Sequence, residues 1–432
     1  MSAPPAVRAF SPLDAELGLL PGVLTPSLQE DLVHLATWMP FERAAKEFKR
    51  FTKTDVSRPT VERITEAAGA VYVQIQEREV ERLERETPTP PPGPAKQFLS
   101  VDGAFVPLVG GQWAEVKTMV IGEVQPPVQR RGEMVVETHH LSYFSRLAEA
   151  DTFQRLALVE THRRGMEQAG QVGAVTGGAD WIQTFVDFHR PDALRILDFP
   201  HAGGRMAKIG QAQFGENTPE MKAWLTQQLH LLKHSGPTAV LAELRQLVAR
   251  LPHAPDLLEH LVYLEKREAL MQYPQFQALG WPIGDGAVES GNKLVVEARL
   301  KGSGMHWARP HVDPMLALRN VACNDRWEEA WPQIVLALCR QDRQRRSERR
   351  ATRHVLQDPQ PAKPESPAVI PDPPVPLAAP FPQANERHPA ADAPPRVKPA
   401  GPWRPPANHP WRHMRFGRAR LESHPRHPDP KT

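Results

Sequence analysis

A chain of 432 residues, 40% hydrophobic and 24% charged, has room for two or three domains and enough apolar residues for a buried core. Two cysteines, Cys323 and Cys339, exclude a disulfide framework and a four-cysteine zinc site, and no apolar run approaches the roughly 18 residues of a membrane span. With no charged-then-apolar leader, the expectation is a soluble cytosolic protein with reduced thiols and no membrane contact. The net charge of +3 hides an asymmetry: residues 343–432 carry 17 Lys+Arg against 8 Asp+Glu, so a basic tail follows a mildly acidic body and is suited to polyanions.

Residues 1–86 read as a helical arm. Leu28, Leu32 and Leu35 fall at helical spacing and predict a helix over 28–39. Residues 41–51 predict a second, with Ala44, Ala45 and Phe48 inward. After a break at 52–56, Ser57 is placed to cap a third helix with Pro59 in its first turn. Helix, short turn and helix with a polar leading end is a helix-turn-helix pattern, with Lys46, Lys49, Arg50, Arg58 and Arg63 as contacts to DNA phosphates. A plain helical bundle or dimerisation arm accounts for the same pattern. The Pro-rich stretch at 87–96 reads as a stiff linker.

From Gln97 the pattern turns to strands: 98–105, 114–124 and 134–144, a helix over 145–169, a strand at 172–176, a helix at 180–189 and a strand at 194–199. Three hairpin-like strands followed by alternating helix and strand predict an α/β fold with a ribonuclease-H-like mixed sheet, its first part spanning 97–202. Residues 203–283 read as a helical insertion and 284–342 as the final part of the core. The segment 343–432 holds nearly half of the chain's 47 prolines and reads as a disordered Pro/Arg-rich tail.

Two carboxylates stand out. Asp102 closes an apolar strand-like run, Phe98-Leu99-Ser100-Val101-Asp102, and Glu289 leads a short amphipathic helix, Val288-Glu289-Ser290-Gly291-Asn292-Lys293. A strand-borne Asp with a distant helix-borne Glu suits phosphoryl transfer assisted by two Mg²⁺ (or Mn²⁺) ions, which activate one oxygen and stabilise the leaving one. Lys293, one turn on, is placed to contact a phosphate or to pair with Glu289 or Glu297.

Taken in order, Val101-Asp102-Gly103-Ala104, Trp113-Ala114-Glu115-Val116-Lys117, Ala179-Asp180-Trp181-Ile182-Gln183, Ile196-Leu197-Asp198-Phe199-Pro200-His201-Ala202 and the stretch from Glu289 to Trp307 resemble bacterial insertion-sequence DDE transposases of the ISKra type, related to the Mutator-like transposases. The resemblance spans roughly residues 28–340. It implies cleavage and joining of DNA at terminal inverted repeats and at a target, by a homo-oligomer on paired ends, in a bacterial cytoplasm. It also implies that Arg299, Lys301, His306 and Trp307 belong to the DNA-contacting segment, the last two stacking on a base, although Trp307 suits core packing equally.

The resemblance has one gap. Related chains carry Asp-Gly-Ala after the fourth strand, whereas this one reads Val175-Thr176-Gly177-Gly178-Ala179-Asp180, with Gly177 where the second Asp is expected. Asp180 is one substitute, although an acid in a helix's first turn is commonplace. Asp198 is another, but it ends a strand one further from the first, nearly 10 Å away at the usual strand spacing of about 4.8 Å. Asp198 with His201 reads as a supporting or DNA-positioning pair. Two readings follow: a transposase weakened at one metal position, or a catalytically inactive, transposase-derived DNA-binding protein. A cellular nuclease of the same fold fits the stretch from Glu289 to Trp307 less well.

Overall fold

The computed structural model describes residues 24–130, 133–251 and 255–357. The helical arm is α1 (Pro26–Trp38), α2 (Phe41–Thr52) and α3 (Arg58–Glu86). The sheet strands are β1 (Lys96–Pro107), β2 (Trp113–Val124), β5 (Thr138–Arg146), β6 (Gln171–Thr176) and β7 (Leu194–Leu197), with a small hairpin of β3 (Val128–Arg130) and β4 (Glu133–Val135) between the second and third. The five-stranded sheet runs in the order β5-β2-β1-β6-β7, with β2 antiparallel to both β1 and β5, and β6 parallel to both β1 and β7. The chain is therefore an α/β protein built on a mixed sheet.

Strand alternation explains the layers. Leu99 and Val101 of β1 join Met119, Ile121 and Phe144 in one apolar cluster with Phe153, on α4 (Ala150–Leu156), and with Ile182, Phe185 and Val186, on α6 (Asp180–His189). Phe98, Ala104 and Val106 belong to the opposite face, and so does Asp102, in phase with them. That face receives two clusters. Near β6 and β7 lies the helical region α7 (Phe199–Phe214), α8 (Pro219–Ser235), α9 (Pro237–Ala249), α10 (Pro255–Glu265) and α11 (Tyr273–Ala278). Near β1 and β2 lie α12 (Gly286–Gly291), its π-helical continuation Asn292–Glu297, a last turn Ala298–Leu300, and a helix at Arg309–Cys323, all in one cluster with Leu32, Val33, Phe48 and Ile64 of the arm.

The arm is thus packed into the body. Helix Arg309–Cys323 crosses α3 so closely that a Cβ on Gly69 would lie 2.1 Å from the carbonyl oxygen of Pro314. The linker also packs, since the carbonyls of Pro91 and Pro92 lie within 2.6 Å of where a Cβ on Gly165 would stand.

Several expected boundaries move. The helix expected over 145–169 is broken into α4, α5 (Leu158–Arg163) and a short 3-10 turn, and the last of these breaks falls at Gly165, which takes a left-handed φ of 60° against the linker. The expected third strand, 134–144, begins as hairpin strand β4, and its sheet-forming part starts at Thr138. Ser57 does not cap α3 through its side chain; its Oγ pairs with Thr60 Oγ1 at 3.0 Å. The last strand stops at Leu197, one residue before Asp198. Residues 343–357, expected to be disordered, continue the helix Trp327–Gln357: the stretch is rich in Arg, Gln and Glu and meets no proline before Pro359. The rest of the expected tail lies outside the described residues.

Two glycines test the packing. Gly69→Ala forces a methyl into the Pro314 carbonyl and is expected to destabilise by about 1–3 kcal/mol or more. Gly204→Ala, in α7 with nothing within 4 Å of its would-be Cβ, is expected to be neutral or to stabilise by up to about 1 kcal/mol. Urea midpoints of the two variants check both.

Candidate functional site

Asp102 sits half-buried on β1, opposite Thr118 of β2. Its Oδ2 accepts from the Nδ2 of Asn292 at 3.1 Å, and burial pushes its carboxyl above the usual range. Asn292 follows Glu289 by three residues, so the helix carrying Glu289 is docked onto Asp102 through the same helical face. The fields of His201, Glu115 and Glu289 all act on Asp102. The two carboxylates singled out in the sequence, 187 positions apart, are therefore near enough for the charge of Glu289 to act on Asp102. Asp102 is partly enclosed and Glu289 is exposed.

The end of β7 supplies a second group. Asp198 is fully buried and caps α7: its Oδ2 accepts the His201 backbone N–H at 2.8 Å and the His201 ring Nδ1 at 2.8 Å. Its Oδ1 accepts the backbone N–H of Asp285 at 2.8 Å. Asp285, 1% exposed at the head of α12, has no hydrogen-bond partner for either carboxylate oxygen, and its Oδ2 lies 3.8 Å from His201 Nδ1. Burial, then the charge of Asp198, push its carboxyl up to about 8. The hydrogen bond to Asp198 raises His201 above the ordinary imidazole value. Asp198, His201 and Asp285 offer ligand atoms all within 4.8 Å of one another and could hold a metal ion. The two orphaned oxygens of Asp285 are what such an ion would satisfy.

Gly177 lies beside this group. A Cβ built there would stand 3.1 Å from His201 Nε2, so the imidazole fills the space a side chain at 177 would enter. The carbonyl of Gly177 accepts from the Tyr263 hydroxyl, and that of Gly178 accepts from Arg267 Nη2 at 2.7 Å. Asp180 points fully into solvent, 3.6 Å from Arg267 Nη2, and its carboxylate is not turned to the cluster.

Glu289 and His201 also line a cleft of about 400 Å³ with Gly204, Arg205, Lys208 and His260. Arg205 stacks over Tyr263, 4.4 Å from its ring centre, and meets His260 Nδ1 at 2.9 Å. The cleft thus carries one carboxylate, Glu289, beside the cations Arg205 and Lys208.

The expected DNA contacts divide. Lys46, Lys49, Arg50, Arg58, Arg63, Lys293, Lys301 and His306 are exposed. Several are in surface ion pairs: Lys46 with Glu42 at 2.6 Å, Lys49 with Asp55 at 2.5 Å and Lys301 with Glu297 at 2.9 Å. Arg299 and Trp307 are interior, which corrects the expectation for Arg299 and agrees with the core-packing alternative for Trp307. Arg299 is 1% exposed, donates to the Ala36 carbonyl at 2.9 Å and lies between the Phe41 and Trp307 rings. Trp307 is buried, with its indole N–H given to the Leu300 carbonyl at 3.1 Å. Asp285, Arg205 and Lys208 were missed in the sequence. Only the caps at both ends of the helical region, Asp198 before Phe199 and Asp285 before Gly286, could have drawn attention to Asp285.

No protein-family model matches the chain, and no curated protein matches it. Among the described residues, no helix is long and apolar enough to cross a membrane.

The state of Asp285 makes stability pH-dependent. Its folded value, about 8, lies above its ordinary 3.8, so the folded state keeps a proton that the unfolded chain releases. Stability present at acid pH is then lost as pH rises toward 8, and His201, also raised, acts in the same direction. Thermal melts in EDTA between pH 5.5 and 9 are expected to show this fall in the unmodified chain and a flatter profile in Asp285→Asn.

Proposed function

We propose that this protein is a metal-dependent DNA phosphoryl-transfer enzyme of the insertion-sequence transposase kind, cutting and joining DNA at the ends of its own element. The observation that carries the reading is that Asp102 on the central strand feels the charge of Glu289, which lines a cleft together with Arg205 and Lys208. The strand order supports the ribonuclease-H-like reading, with β6 parallel beside β1 and a helical excursion before the acidic helix.

In this reading Asp102 and Glu289 hold Mg²⁺ or Mn²⁺, which when bound polarises the scissile phosphate and activates the attacking water or 3′-hydroxyl. The chain's own residues do the rest. Asn292 fixes the orientation of the Asp102 carboxylate. Arg205 and Lys208 neutralise the phosphates flanking the scissile one, and the exposed bases of α2 and the leading end of α3 hold the DNA duplex at a distance. Transposition at two ends calls for a homo-oligomer.

Gly177, which brings no carboxylate, favours a second reading: a transposase-derived protein that binds element ends without cutting them. Supercoiled plasmid carrying the element's inverted repeats separates the two. Cleavage in Mn²⁺ by the unmodified chain, reduced to background by Asp102→Ala and by Glu289→Ala, is the expected result. Binding of the same repeats with no cleavage, together with cleavage by Gly177→Asp, would establish the second reading.

A further inference from the structure

Among the described residues, only Asp285 keeps two buried side-chain oxygens with no hydrogen-bond partner. It is 1% exposed, and Asp198 beside it is fully buried. Two carboxylates taken out of water side by side repel each other and persist together only with a proton or a cation between them. A proton turns one oxygen of Asp285 into a donor and leaves the other unmet. A divalent ion meets both oxygens and offsets both negative charges.

The ligand atoms are already spaced for one ion. Two ligand atoms of a tetrahedral zinc ion stand about 3.3 Å apart, given bonds to the metal of about 2.0–2.1 Å. His201 Nδ1 lies 2.8 Å from Asp198 Oδ2 and 3.8 Å from Asp285 Oδ2, and one ligand atom from each of the three lies within 4.8 Å of the other two. Shifts of about 0.5 Å close that geometry. The ion takes the place of the proton between Nδ1 and Oδ2, which leaves to solvent. Both backbone bonds to Asp198, from the His201 and Asp285 N–H groups at 2.8 Å, stay in place and keep its carboxylate aimed. Tyr273, itself fully buried, gives its hydroxyl to the Leu197 carbonyl at 2.9 Å and packs edge-on against Phe199, so the neighbours of Asp198 in the chain are sealed from water. The imidazole is half-exposed and lines the cleft of about 400 Å³, which gives an ion its way in and a water ligand its place.

We propose that Asp198, His201 and Asp285 hold one first-row divalent ion of the Zn²⁺ class, which fastens the end of β7 to the head of α12. Two carboxylates and an imidazole nitrogen suit Zn²⁺, whereas Mg²⁺ and Ca²⁺ take oxygen ligands. The ion closes the helical excursion at its base, one turn before Glu289, so its occupancy sets how firmly the acidic helix is held. The ligand set includes neither Asp102 nor Glu289, and the proposal stands whether or not the protein cuts DNA.

The measurement is calorimetric titration of the EDTA-stripped, dialysed full chain with Zn²⁺, joined to thermal melts with and without Zn²⁺ and to X-ray absorption at the zinc edge with one equivalent bound. One tight site is expected, which Asp285→Asn and His201→Gln each weaken by at least about 100-fold, since a ligand counts for more than the 10–100-fold of a residue behind one. Asp102→Asn and His260→Gln should retain the site. Zinc should raise the melting temperature of the unmodified chain and not that of Asp285→Asn. That variant removes a side chain with no hydrogen bond to lose, so its ion-free form should stay folded. The absorption spectrum should show a shell of oxygen and nitrogen with one imidazole and no sulfur.

No Zn²⁺ binding would overturn the proposal and leave a proton between the two carboxylates. A site indifferent to Asp285→Asn, a zinc-dependent rise in melting temperature that persists in that variant, or a shell with sulfur or several imidazoles would place the ion elsewhere on the chain and overturn it too. So would loss of the site in Asp102→Asn.

Discussion

Everything at the working end of this molecule hangs on one buried carboxylate. Asp198 ends the last sheet strand, caps α7, clamps the His201 ring and accepts the N–H of Asp285, 87 positions further on. The last bond closes the helical excursion, and a backbone bond from Phe199 to the Ile283 carbonyl at 2.9 Å doubles it. Hydrogen bonds to a charged group contribute about 1.5–3 kcal/mol each, and removing the acceptor would strand buried donors on two elements at once. The five helices between Phe199 and Ala278 can therefore vary in packing without disturbing where the chain re-enters the sheet face. It re-enters at Asp285, one turn before Glu289. The position of the acidic helix is set by the end of β7 rather than by its own short sequence.

The second constraint lies on the other side of Glu289. The helix slackens into a π-helical stretch at Asn292–Glu297, a register that leaves carbonyls without their usual partners. Buried Arg319 supplies donors to the carbonyls of Leu294, Val295 (3.2 Å) and Thr37 (3.3 Å), and stacks over Trp38. Arg299 reaches the Ala36 carbonyl from the same stretch. The C-terminal end of α1 and the acidic helix are thus tied through two interior guanidinium groups. Desolvation lowers the pKa of both, and Arg299 falls to about 10, yet the aromatic faces and carbonyls around them favour the cation. A duplex held by the arm would act on a part of the protein rigidly joined to Glu289. The π-helical slackening also brings the Asn292 amide to Asp102, at 3.1 Å, while Glu289 stays exposed to the cleft.

Much of this was legible because periodicity is a local property. The apolar run from Phe98 to Val101 marked β1 and put Asp102 at its end, and the short helix around Glu289 announced itself by its pattern. What escaped depends on partners far away in sequence. Arg299 carries the polar tip of a surface residue, and nothing local shows that the Ala36 carbonyl awaits it indoors. Asp285 reads as one more helix-leading acid until Asp198 is seen to bury it. Arg205 and Lys208 lie on an ordinary amphipathic helix, and only the approach of α10 turns their flank into a cleft wall. The run of arginines at 343–350 allowed two readings, the start of a basic tail or a solvated helix end, and helix propensity with the Arg346–Asp342 pair at 2.6 Å carries the helix on.

The loop after β6 shows why the fold needs no side chain at 177. Tyr263 and Arg267 hold the carbonyls of Gly177 and Gly178, so the turn is shaped through its backbone and requires no side chain at either position. The two glycines are not equivalent. Gly178 has a φ of 77°, which a side chain would strain, whereas Gly177 does not have a positive φ and could accept an aspartate in backbone terms. What resists the aspartate is the imidazole of His201, itself pinned by Asp198. A carboxylate entering at 177 would have to share its volume with that ring. The glycine and the histidine are therefore two halves of one arrangement: the absence of a side chain at 177 leaves the imidazole its place, and the buried carboxylate behind the imidazole holds the ring there.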